Sequence, residues 1–188
     1  FRMISTFSQL IQAKIYRSGE EKVTLGQELS YVEYYLYLQS YRFGERLSYE
    51  IAVSEEKLKE QCIPKLCIQL IVENAVVHGL EPKVDNGFVK VSVYRQEGCI
   101  CIDTVDDGVG FGADGEVALP LEKREKDSAH NHVGLGNVHH MIQLMYGEAY
   151  GVTVFSSPGR GSTVRIRIPE DQGEPEKPEE EWQKKESG

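Results

Sequence analysis

The chain has no histidine before His78, no apolar run long enough to cross a bilayer, no CxxC pair and no excess of positive charge. Each absence excludes something. Without a long apolar run or an opening signal peptide, any membrane segment lies outside this stretch. Residue 1 is Phe, so the chain reads as a fragment. Cys62, Cys67, Cys99 and Cys101 lack metal-ligand spacing, which favours structural thiols in a reducing compartment, the cytoplasm, over a disulfide or metal site. A formal charge of −9 argues against nucleic acid as a partner, which requires a basic face. No GxxxxGK[ST] run occurs, which excludes a P-loop. Gly110 to Gly115 fits GxGxxG, but no amphipathic helix follows it, so a dinucleotide site lacks its context. His130 and His132 stand in a charged loop without further ligands and fit a solvated lid better than a metal site.

What is present suffices for a core. Hydrophobic residues make up 40% of 188, enough for one domain with an attached helical piece. Met3, Ile4, Phe7, Leu10, Ile11 and Ile15 predict a helix over residues 1–17. Thr24 and Gln27 form a capping box opening a second helix to Phe43, with Leu25, Leu29, Val32, Leu36 and Gln39 along one stripe. Leu47, Tyr49, Ile51 and Val53 alternate as a half-buried strand. Pro64 suits the first turn of a third helix that stops at Gly79. Strands are expected over Val89–Val93 and Cys99–Val105, a fourth helix over Leu135–Tyr146, and a strand pair at 151–156 and 162–168. Residues 106–133, rich in glycine and charge, form a loop too long to be idle. From Glu170 onward, eight acidic residues face three basic ones, a net −5 of the total, and the segment reads as a solvated tail. The fold class is α+β, a two-layer sandwich with a mostly antiparallel sheet.

Four segments carry candidate chemistry. The third helix is apolar nearly all round, yet it holds Glu73 and Asn74 at its centre and His78 one turn beyond. Either these groups meet water at a helix edge, or a ligand or metal partners them. Asp106-Asp107-Gly108-Val109-Gly110 ends an apolar strand, where a carboxylate can accept from an amino group and glycines admit a ligand. A tight acidic turn is the plainer alternative. Gly134-Leu135-Gly136 opens a helix, a geometry that binds anions, unless it is simply a flexible loop end. Gly159-Arg160-Gly161-Ser162-Thr163 joins two strands and on its own is a hairpin turn.

Taken in order, these four segments resemble the nucleotide pocket of the Bergerat-fold ATPases, and within them the LytS-type sensor histidine kinases. Glu73-Asn74-Ala75-Val76-Val77-His78-Gly79 resembles the N box, and Asp106 to Gly110 the DxGxG box. Gly134-Leu135 with Asn137-Val138 resembles the second glycine box, and Ser157 to Pro169 the closing strand pair. Upstream, Thr24 to Leu47 is similar to the same branch's linker helix. The resemblance spans about residues 1–169 and rests on order and spacing.

It implies a domain that binds ATP with Mg²⁺ and transfers the γ-phosphate to a histidine outside this fragment. Asn74 would hold Mg²⁺, Asp106 would accept from the adenine amino group, and Gly108, Gly110 and Gly134 would let backbone close on the nucleotide. His78, Leu135 and Gly136 would complete the ATP site, Thr163 would reach adenine through water, and residues 112–133 would form a lid. Glu73 would accept a proton or orient the metal, although related ATPases place that carboxylate where this chain has Leu70. Residues 1–45 would be a helical linker, 46–169 the catalytic domain and 170–188 the tail. Partners would be a second protomer through the leading helices and a response regulator. The domain would be cytoplasmic and the full-length protein membrane-anchored. Three departures stand out: Val77 replaces a phosphate-contacting lysine, His132 a glycine, and Gly136 a basic residue. Two lost positive charges weaken the grip on phosphate, and the alternative is a nucleotide-sensing module without turnover.

Overall fold

Thr24 starts the described helical structure as its sequence demands. In the computed structural model, which describes residues 22–111, 115–117 and 133–170, its hydroxyl accepts from Gln27 N while the Gln27 side chain accepts from Thr24 N. Helix α1 (Leu25–Phe43) follows β1 (Lys22–Thr24). Then come β2 (Leu47–Val53), β3 (Cys62–Pro64) and α2 (Cys67–Asn74), which continues as a π-helical turn over Ala75–Leu80. Next are β4 (Gly87–Gln96), β5 (Cys99–Asp106), β6 (Gly115–Val117), α3 (Val133–Tyr146), β7 (Gly151–Ser157) and β8 (Gly161–Pro169). The helix expected over residues 1–17, most of the expected lid and the acidic tail beyond Glu170 lie outside the described residues.

Six strands form one sheet in the order β2-β4-β5-β8-β7-β6; β2 and β4 run parallel and every other pair is antiparallel. Helices cover one face, giving the expected two-layer α+β architecture. Alternation decides which residues meet them. Val89, Val91 and Val93 on β4, Ile100 and Ile102 on β5, and Ile166 and Ile168 on β8 are all buried on the helix side.

Helix α1 is part of this same core. Leu25, Val32 and Leu36 are fully buried among residues of α2 and the sheet. Its Glu28 is buried too, at 1% exposure, and its Oε1 accepts from Leu66 N at 2.8 Å. Leu66 is a non-glycine residue with φ of 68° directly before α2. A left-handed conformation costs about 1–2 kcal/mol at such a residue. A hydrogen bond to a charged acceptor offsets that by roughly 1.5–3 kcal/mol. The turn at Leu66 also corrects the start expected for this helix: Pro64 closes β3, a short strand paired with β1, and the helix begins at Cys67. A three-residue strand has too short a pattern to be read from sequence.

The Glu28–Leu66 bond gives the first prediction. Glu28→Ala leaves a buried N–H unpaired and is expected to lower unfolding stability by about 2–3 kcal/mol. Urea titration checks this, with the midpoint falling at constant slope.

Candidate nucleotide site

Asp106 ends β5 as a buried carboxylate, at 5% exposure, with a cavity of about 220 Å³ beside it. Ile71 and Ala75 of α2, Val109, Phe111, Leu135 of α3 and Val164 of β8 supply its apolar walls. Asn74, His78, Thr104, Asp106 and Ser162 are the polar groups on it. An apolar slot with a few convergent polar groups suits a small ligand with one flat apolar part and one polar edge.

Close backbone packing shapes this cavity. A carbon added at Gly108 would lie 2.4 Å from the Gly79 carbonyl, and Val109 N donates to Gly79 O at 2.9 Å. Gly110 has φ of 62°, and a side chain there would meet Ser157 O at 2.1 Å. Both are positions only glycine can fill, so the loop after β5 is wedged between the end of α2 and the β7–β8 turn. The turn adds a direct bond from Gly159 N to Val109 O at 2.7 Å.

Asp106 Oδ1 accepts from Gly108 N at 2.9 Å. Burial nevertheless pushes its carboxyl from 3.8 up to about 6, with the neighbouring Asp107 charge adding to the rise and the Gly108 N–H opposing it. Asp107 itself turns away: its carboxylate accepts from Phe88 N and pairs with Lys83. Asn74 points toward the start of α3, where a carbon added at Gly134 would sit 3.3 Å from Asn74 Nδ2. The N-terminal turn of α3, with its unpaired N–H groups, therefore opens beside Asn74.

The structure brings Asn74, His78, Asp106, Gly110 and Leu135 together at one cavity, with Gly108 and Gly134 packed against its margin. Three expected residues fall elsewhere. Thr163 lies on the opposite face of the sheet, because strand alternation puts Ser162 with the inward Val164 and Ile166. Ser162 takes the place expected for Thr163, and the alternation of Val164, Ile166 and Ile168 was the signal for it. Glu73 does not line the cavity: it accepts from Gln69 Nε2 at 2.6 Å, and its charge adds to the burial that raises Tyr35 of α1 to about 12. One residue before Asn74 on a helix, its side chain is turned about 100° away. Gly136 has open space around it and is not on the cavity wall. Of the departures, Val77 is 40% exposed and off the cavity, and His132 lies outside the described residues.

Ser156 carries no sequence signal yet holds the site together. It is 3% exposed; its Oγ accepts from Phe111 N at 2.9 Å and lies 3.2 Å from Ser162 Oγ. It joins the glycine loop to β8. Among the described residues no group of three or more His, Cys, Asp or Glu could hold a metal.

The family model described as histidine kinase-, DNA gyrase B-, and HSP90-like ATPase matches residues 64–172, which include every cavity residue named above. The chain belongs to this ATPase family. A second family model, histidine kinase, matches residues 1–47. The HSP90-like ATPase assignment carries ATP binding with it. Among curated relatives, the sensor histidine kinase YesM of Bacillus subtilis is 30% identical over 168 residues, 89% of this chain and 27% of that protein. The sensor histidine kinase YpdA of Escherichia coli is 34% identical over 147 residues, 78% of this chain and 25% of that protein. The chain thus spans about a quarter of each. The catalytic domain of histidine kinase ThkA matches the fold with a TM-score of 0.56 at 11% identity, covering 79% of this chain and 94% of that one. The histidine kinase domain of the blue-light activated kinase from Erythrobacter litoralis EL346 gives 0.52 at 17% identity, covering 89% of this chain and 73% of that one.

Asp106 makes stability depend on pH in a definite direction. Its pKa is raised on folding, so between pH 3.8 and about 6 the folded state holds the extra proton. Stability contributed by this group is therefore present at low pH and lost as pH rises through that window, by about 3 kcal/mol in all. Denaturant unfolding of the parent and Asp106→Asn at pH 4 and pH 7 checks it. The stability difference between them is expected to shift toward the variant at pH 7.

Proposed function

We propose that this domain binds Mg-ATP and is the catalytic part of a two-component sensor histidine kinase, transferring the γ-phosphate to a histidine outside the chain. The observation that carries the reading is the convergence of a buried strand-end carboxylate, an asparagine and the N-terminus of α3 on one apolar cavity. Asp106 accepts from the adenine amino group, and the walls of Ile71, Ala75 and Val164 take the flat ring. Asn74 would hold Mg²⁺ through its amide oxygen, a hard donor of the kind Mg²⁺ prefers. The unpaired N–H groups of α3 face the phosphates. Bound Mg²⁺ would supply neutralisation of phosphate charge, while the protein's own work is placement of the nucleotide and exclusion of water.

Support for the transfer step comes from the two relatives named above, both sensor histidine kinases, together with the match of residues 1–47 to the histidine kinase model. The response regulator and a second protomer, joined through the N-terminal helices, are partners of the whole protein on this reading. No helix among the described residues is long and apolar enough to cross a membrane. ATP and four free thiols fit the cytoplasm, with a membrane anchor in the remaining length.

Calorimetric titration tests the nucleotide assignment. Asp106→Asn is expected to weaken ATP binding by about 1.5–3 kcal/mol, and the parent to bind GTP poorly. Asn74→Ala is expected to remove the Mg²⁺ dependence of ATP binding and spare metal-free ADP binding. Equal affinity for ATP and GTP would sink the role of Asp106.

Transfer needs an acceptor histidine, and residues 1–45, the stretch that resembles the linker after the acceptor helix, hold none. His78 lines the cavity, and His139 on α3 accepts from Val152 N at 3.1 Å. With radiolabelled ATP the chain alone is expected to gain no acid-labile label. Restoring an upstream helical pair of roughly 30–60 residues is expected to restore it. Label accumulating on the chain as it stands contradicts the proposal.

A further inference from the structure

The buried positions that β4, β5 and β8 turn toward the helices are aliphatic until the cavity is reached, with one exception. Thr104 sits between Ile102 and Asp106 on β5, faces inward with them, and pairs across the ladder with Val164. It is 2% exposed and lines the cavity, and its hydroxyl has no hydrogen-bond partner among the described residues. Valine has the same shape and would complete the apolar wall without burying a polar atom. The hydroxyl is not among the buried side-chain atoms left without a partner, so it opens on the cavity, where a partner arriving from outside can reach it.

The other polar groups narrow what that partner is. Ser162 Oγ is engaged with Ser156 Oγ at 3.2 Å. Asp106, one pleat repeat along the strand at about 7 Å, is an acceptor and suits an amino group. A hydroxyl on the same wall supplies the donor that a carboxylate cannot. In a 6-aminopurine the amino group is flanked on both sides by ring nitrogens with free lone pairs. An acceptor beside a donor on the base therefore meets a donor beside an acceptor on the protein.

We infer that Thr104 reads the base: its hydroxyl donates to a ring nitrogen flanking the amino group, directly or through one water. This rests on the ATP reading above and adds a second polar contact to the base. It makes Thr104 a specificity-determining residue, because a 6-oxo purine carries a hydrogen on N1 and an acceptor at position 6.

Calorimetry with ATP, 1-deaza-ATP and 7-deaza-ATP on the parent, Thr104→Val, Thr104→Ser and Asp106→Asn is the test. Thr104→Val is expected to bind ATP about 3- to 10-fold more weakly, the loss of one neutral hydrogen bond, and Thr104→Ser to keep most of the affinity. One of the two deaza analogues is expected to lose a similar factor on the parent and nothing further on Thr104→Val. Full ATP affinity in Thr104→Val overturns the inference, as does an equal penalty for each analogue in both proteins. Thermal melting separates a role in folding. The free Thr104→Val domain is expected to melt at a higher temperature than the parent, whereas a lower one shows that the hydroxyl serves the fold. Loss in Asp106→Asn without loss in Thr104→Val removes Thr104 alone, while unchanged binding in Asp106→Asn removes the ATP reading with it.

Discussion

The contact between Gly79 and Gly108 holds the rest of the site in place. Gly79 lies in the last, π-helical turn of the buried helix that bears Asn74 and His78, and Gly108 lies in the loop that leaves β5 after Asp106. With no side chain on either, the helix end and the loop touch backbone to backbone, sealed by Val109 N to Gly79 O. A carbon at Gly79 would meet Asp106 Oδ1 at 2.7 Å, so the same gap also gives the carboxylate its room. Widening it by one methyl group would move Asp106 and Asn74 relative to each other. On the proposed reading, their separation sets the length of ligand the cavity can take, base at one end and charged group at the other.

Around that contact the support is layered. The β7–β8 turn holds the glycine loop from above through Gly159, and Ser156 holds Phe111 and Ser162 from the side. Helix α1 works at longer range. Through Glu28 it fixes the left-handed turn at Leu66 from which α2 departs, and α2 carries Asn74. At the far edge Tyr146 donates to Cys62 O, and Lys22 lies over its ring at 4.7 Å, tying α3 to the small β1–β3 ribbon. The elements that bear the cavity residues are thus braced by elements that touch no ligand. Such bracing is how a site keeps sub-ångström geometry.

What could be read in the sequence was local. The capping box at Thr24 and Gln27 is a four-residue pattern with its own physics, and it formed as written. Alternation along β2 and β4 marks strands and their inward face, because each pattern is several residues long. The cavity residues Asn74 and Asp106 stood out because polar groups interrupt apolar runs there. What failed depended on orientation or on distant partners. Glu73 neighbours Asn74 in sequence but points to Gln69 and α1, since adjacent helical residues diverge. Thr163, implied by the resemblance alone, lies one residue from Ser162, and the strand period puts the two on opposite faces. Glu28 looks like a helix-surface acid, and nothing in its neighbourhood reveals that Leu66, far along the chain, needs its oxygen.

The polar groups of the cavity have a shared energetic character. Asp106 keeps one strong backbone bond yet is buried enough to hold a proton up to about pH 6. The Thr104 hydroxyl opens on the cavity without a hydrogen-bond partner among the described residues, and half-buried Asn74 makes no side-chain hydrogen bond there either. Of the three, Asp106 is the one whose burial costs the empty fold, and it would be cheaper there as an uncharged residue of similar shape. The rest of the inner sheet face follows that rule, from Val89 through Ile168, and the exceptions gather at one cavity. A ligand that donates to Asp106 and accepts from Thr104 satisfies both groups at once and removes the reason for Asp106 to hold its proton. On the proposed reading, the free domain gives up stability at Asp106 that nucleotide binding recovers. Local rules of folding are broken where a ligand completes them.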